Sequence, residues 1–126
     1  MYIRVNANPK NLGTDDCVIR ACAILLFDGD WDMAYSILSS IGFKQKKTPC
    51  SNSVLNECMI SRGFKRAILS DSCPDCVTFG EFAETHLNGD YLLCSGTHVA
   101  PVLAAGRLMD AWDSSDEIVA YYYYLP

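Results

Sequence analysis

Apolar positions recur at two spacings along this chain, and the change from one to the other falls near Asp90. Before that point the period is helical. The run from Cys17 to Phe27, "CVIRACAILLF", is apolar on almost every side, which predicts a buried central helix capped by Thr14, Asp15 or Asp16 and ended at Asp28-Gly29. After Asp30, the residues Trp31, Ala34, Tyr35, Leu38 and Ile41 share one helical face, with Gly42 as the stop. "QKKTPCSNS" reads as a polar loop. Val54, Leu55, Cys58 and Met59 then mark a third helix closed by Gly63, and Thr78 with Glu81 forms a capping-box pattern for a fourth, "FGEFAETH".

"YIRVN" near the start alternates like a short strand. From Asp90 onward "DYLLCS", "HVAPVL", "RLMDAW" and "EIVAYYYY" are strand-type runs separated by turn residues. Helices first and strands last predict an α+β fold, with an antiparallel C-terminal sheet packed on the buried first helix. The register of one hairpin follows from its loop. A three-residue turn, Ala104-Ala105-Gly106, pairs Leu103 with Arg107, so that His98 faces Trp112 and Ala100 faces Asp110. His98, Asp110 and Trp112 then share one face, with Asp110 diagonal to the imidazole. A two-residue turn would shift the pairing by one and set Asp113 opposite His98, which keeps Asp113 as a reserve partner.

With 126 residues, half of them apolar or aromatic, the chain suits one domain (1–126) around one core. The net charge of −5, with no basic cluster beyond Lys44 to Lys47, argues against nucleic acid as a partner. No apolar run nears the ~20 residues of a membrane helix, and "MYIRVNANPK" lacks the apolar centre of a signal peptide, so a cytoplasmic protein without a membrane partner is expected. Seven cysteines is an odd number, and without an export signal a disulfide framework is not favoured. Cys73 and Cys76 in "SCPDC" have zinc-ligand or dithiol spacing, and Cys50 and Cys58 could complete a four-thiolate site. A second C-x-x-C is missing, however, and the segment reads as a plain loop, with no metal or cofactor expected.

Candidate chemistry centres on Cys17, at the first turn of the buried helix, where unpaired N–H groups and the helix dipole favour a thiolate. The chain has two histidines. His98 opens a strand directly after "SGT" and can stand at the end of the sheet facing the first helix, whereas His86 belongs to the last turn of a helix. A carboxylate at Asp110 would fix the His98 tautomer and stabilise an imidazolium beside a thiolate. Arg20, alone in an apolar helix, needs a partner, and Asp16 is one turn away.

A cysteine opening a central helix, a late histidine strand, and an acid two residues before a tryptophan resemble the papain-like cysteine peptidase fold. "NPKNLGTDDCVIRA", "TFGEFAETH", "GTHVAP" and "MDAWDSS" are similar to a family of small papain-like proteins of Firmicutes and their phages. The resemblance implies a thiol hydrolase, a cysteine peptidase or amidase, with catalytic Cys17, His98 and Asp110 and a peptide or protein substrate. It also implies that Trp112 shields the histidine pair from water. Asn11, six residues before Cys17, has the spacing of the papain oxyanion glutamine, beside the Cys17 backbone N–H. The Gly-Ser-Cys-Trp stretch of papain has no counterpart. An interaction protein that keeps only the core, or an acyltransferase with the same triad, fits the same residues.

Overall fold

The computed structural model describes residues 1–12 and 15–126. The elements, in chain order, are β1 (Tyr2–Arg4), α1 (Cys17–Leu26), α2 (Trp31–Gln45), α3 (Asn52–Ser61) and β2 (Lys65–Ile68), followed by α4 (Phe79–Thr85), β3 (Tyr91–Cys94), β4 (Val99–Leu103), β5 (Arg107–Asp110) and β6 (Tyr121–Tyr124). The class is α+β, with one six-stranded sheet in the order β1-β5-β4-β3-β6-β2.

Two strands depart from the expected C-terminal antiparallel sheet. β1 pairs with β5 in parallel, Tyr2 opposite Leu108 and Arg4 opposite Asp110, which makes the sheet mixed. β2 joins the far edge beside β6. Its sequence, Lys-Arg-Ala-Ile, has no apolar alternation because it is an exposed edge whose charges discourage further pairing.

The expectation of one core also changes, because both faces of the sheet are covered. Successive strand residues point to opposite sides, so Leu92 enters the cluster formed with α1, α2 and α3 while Leu93 enters the cluster formed with α4. Val18, Cys22, Leu38, Leu55 and Met59 fill the first, and Phe79, Phe82, Val102 and Leu108 fill the second. Each fully buried leucine contributes about 1.5–3 kcal/mol of transfer free energy.

Helix α2 does not stop at Gly42. It continues to Gln45 and is closed by Lys46 at φ 61°. Glycine is required at 42 for another reason: a Cβ there would collide with the carbonyl of Lys47 as the chain turns back. The expected capping box of α4 is present, with Thr78 accepting from the Glu81 backbone N–H and Glu81 accepting from the Thr78 N–H. The hairpin register is the expected one, Leu103 opposite Arg107 and Val102 opposite Leu108, with Ala105 and Gly106 both left-handed at φ 70° and 68°. No helix among the described residues is long and apolar enough to cross a membrane.

Candidate active site

The N-terminus of α1, the β3–β4 turn and the segment after β5 enclose a cavity of about 410 Å³ lined by Cys17, Cys50, Asn52, His98, Trp112 and Tyr121, among others. Cys17 is the first residue of α1 and is half-buried. Asp16 occupies the cap position, but its carboxylate caps nothing. It is buried and holds three other groups: the Asn8 side-chain amide at 3.0 Å, the Trp31 indole N–H at 2.8 Å and the Arg20 guanidinium at 2.9 Å. The partner expected for Arg20 is therefore the one it has. The first-turn N–H groups of α1 are left without a side-chain cap and so stay available to an anion beside Cys17. Of the other two expected caps, Asp15 is exposed and precedes the cap position, and Thr14 lies outside the described residues.

A tight turn sets the backbone of His98. The Ser95 N–H donates to the His98 carbonyl at 2.8 Å, and the His98 N–H donates to the Ser95 hydroxyl at 2.9 Å, while that hydroxyl donates to Glu117 at 3.1 Å. The buried imidazole meets the buried Asp110 carboxylate, Nε2 to Oδ2, at 2.6 Å. The same oxygen accepts the hydroxyl of the fully buried Ser114 at 2.6 Å, and the other oxygen accepts the Ala111 N–H at 2.7 Å. With Nε2 taken by Asp110, Nδ1 remains for Cys17, whose thiol is close enough to act on the ring. Burial works against a charge on His98, but hydrogen bonds and attraction from Asp110 and Cys17 outweigh it and raise the ring to about 9. Trp112 covers the imidazole at 4.5 Å between ring centroids and is itself 46% exposed, as a lid over the pair would be.

Three of the residues read from the sequence therefore converge, with Trp112 above them. Two others do not. Asp113 is exposed, and its carboxylate accepts the Ser115 N–H at 3.1 Å and the Ser115 hydroxyl. The three-residue hairpin loop sets the register that turns it away from His98, and the Ser115 bonds hold its carboxyl below the usual range. Asn11 is an exposed turn residue at φ 54° whose N–H donates to the Asn8 carbonyl at 2.9 Å, and it does not line the cavity. Its left-handed conformation is one asparagine tolerates well. His86 stacks on Phe82 at 3.6 Å at the end of α4.

Cys50, Asn52, Ser95, Ser114 and Tyr121 were not legible as site residues. Cys50 sits in the loop before α3, and burial, then the neighbouring Cys17, push its thiol up. Cys73 and Cys76 are joined to each other as a disulfide, so the local pair exists although a framework was not favoured. Among the described residues no group of three or more His, Cys, Asp or Glu side chains is placed to hold a metal ion. Comparison with known families, curated proteins and solved structures finds no match for this chain.

Proposed function

We propose that the chain is a papain-like thiol hydrolase, a cysteine peptidase or amidase, in which Cys17 is the nucleophile, His98 its base and Asp110 the group that orients and charges the imidazole. The observation that carries this reading is the buried His98–Asp110 bond of 2.6 Å at the edge of the cavity that also holds Cys17. The Cys17 sulfur attacks the substrate carbonyl as a thiolate, forming a carbon–sulfur bond. The oxyanion receives the Cys17 backbone N–H at the open end of α1, and the carboxamide of Asn52, which lines the cavity, is a second donor in place of Asn11. His98 then gives its proton to the leaving amine, the carbon–nitrogen bond breaks, and a thioester remains. Water attacks the thioester, His98 takes its proton, and the carboxylic acid leaves with the thiolate restored.

The test is turnover of a pool of peptide and small-molecule amides, followed by acid-quenched mass spectrometry of the protein. An acyl adduct on Cys17 that decays to free acid, and is absent in Cys17→Ser, supports hydrolysis. Decay only when an amine acceptor is added would indicate acyl transfer. A panel in which no member acylates Cys17 would favour an interaction protein that keeps the papain-like core.

A further inference from the structure

A second cavity, of about 420 Å³, adjoins the first and shares Asn52 and Tyr121 with it. It is bounded by α3 and by the β6–β2 edge of the sheet, through Ser53, Asn56, Arg66 and Tyr123. Arg66 lies opposite Tyr123 in the β2–β6 pairing and so stands on the same face as Tyr121, two residues back along β6. Its guanidinium rests over the Tyr121 ring at 4.1 Å from the centroid. Stacking fixes the plane of the guanidinium, and although one edge lies by the Tyr123 hydroxyl, its remaining N–H groups can meet an incoming acceptor. The two ion pairs among the described residues are Arg20 with Asp16 and His98 with Asp110, so no carboxylate neutralises Arg66. Arg20, the other arginine bordering the cleft, is already committed. At the Cys17 end the cleft carries Asp15 instead, an exposed acid. The groove is therefore polarised, with an acid near the nucleophile and a stacked, unneutralised arginine at its far end.

Building on the hydrolase reading, we propose that this second cavity is a substrate subsite in which Arg66 binds a carboxylate of the substrate, so that the enzyme prefers acidic peptides or amides. A planar carboxylate matches the guanidinium fork in two parallel hydrogen bonds, and the carboxamide of Asn56, held by the Tyr123 hydroxyl at 2.9 Å, adds a polar wall. Arg66 touches neither Cys17 nor His98 in this scheme. It determines specificity, and its loss should raise KM for acidic substrates without changing the chemistry of the thiol.

The experiment uses peptides ending in a vinyl sulfone, with glutamate or glutamine at each of the three residues before it. A second set carries an N-terminal chloroacetyl group and a free or amidated C-terminus, which separates a side-chain carboxylate from a terminal one. Iodoacetamide, too small to reach the subsite, reports on Cys17 alone. In one position or one terminal form, the acidic probe should label Cys17 at least ~10-fold faster than its neutral isostere. In Arg66→Gln that gap should close to within about twofold, while iodoacetamide labels Cys17 at the unaltered rate. Equal labelling by acidic and neutral probes, or a preference that survives Arg66→Gln, would overturn the subsite while leaving the nucleophile in place. Failure of iodoacetamide to select Cys17 in the unaltered protein would instead remove the hydrolase reading, and the subsite with it.

Discussion

Replacing Asp110 by asparagine keeps the shape of the His98 partner and removes its charge, which makes it a sharp probe of the site. The rise of His98 from 6.5 to about 9 corresponds to ~3 kcal/mol of preference for the imidazolium, at ~1.36 kcal/mol per pH unit. The ring borders an open cavity, so screening by water leaves roughly half of that. Asp110→Asn should therefore lower the His98 titration by about 1–2 pH units, because burial then acts without an opposing carboxylate. Its amide can also donate to Nε2, which puts the ring proton on Nδ1, facing Cys17, and blocks acceptance of the thiol proton. Ring NMR suits the measurement, since the chain has only two histidines and a His86 variant assigns them. A linked effect on stability has a definite sign. Because the folded-state value is the higher one, the stabilisation from His98 is complete below 6.5, declines as pH rises and is lost above about 9. The urea midpoint should fall across that window in the unaltered protein and vary less in Asp110→Asn. A His98 that titrates at or below 6.5 in the unaltered protein, or that is unmoved by Asp110→Asn, would refute this reasoning.

Other substitutions test the supports of the site. Ser114→Ala removes a buried donor to Asp110 and should cost ~1–3 kcal/mol in urea unfolding as well as lowering turnover, whereas Asp113→Asn, acting on an exposed turn, should leave His98 titration unchanged. Asp16→Ala leaves Arg20 buried without its partner and should destabilise the fold by ~3–5 kcal/mol, read from the same denaturation curves. Gly106→Ala places a Cβ at φ 68° against the Ala83 carbonyl. It should cost ~1–3 kcal/mol and, by disturbing the hairpin, lower the His98 titration even though the substituted residue lies in the loop.

Much of this site could be read from the sequence because it depends on local rules. The Ala104-Ala105-Gly106 loop fixes the pairing of Leu103 with Arg107, and that pairing brings Asp110 rather than Asp113 to His98. The α4 capping box and the Asp16–Arg20 pair were legible for the same reason, since each depends on a spacing within one turn. What was hidden depends on tertiary contact. β2 is a charged edge strand whose residues look like loop until β6 is beside them. Gly42 reads as a helix stop, and its real role appears only when Lys47 folds back over it. Asn11 has the spacing of an oxyanion donor, yet the backbone turn of which it is part keeps it from lining the cavity. Cys50 and Asn52, which do line it, arrive from the loop before α3 and the first residue of that helix. Ser114 carries no pattern at all, because its value lies in one hydroxyl aimed at Asp110.

Cys58 is the rival of Cys17 for the role of most reactive thiol. Donation from the Cys22 thiol, opposed by burial and aided by Arg62, lowers Cys58 to about 7, but at 1% exposure its sulfur is closed to reagents. Reactivity should therefore follow access and the histidine partner together. The decisive measurement is the rate of iodoacetamide modification at each free cysteine of the native protein, read by peptide mass spectrometry from pH 5 to pH 9, with and without His98→Ala. Cys17 should react first across that range and lose that advantage in His98→Ala. Faster modification of Cys50 or Cys58, or a Cys17 rate indifferent to His98→Ala, would contradict the assignment of Cys17 as a histidine-activated nucleophile.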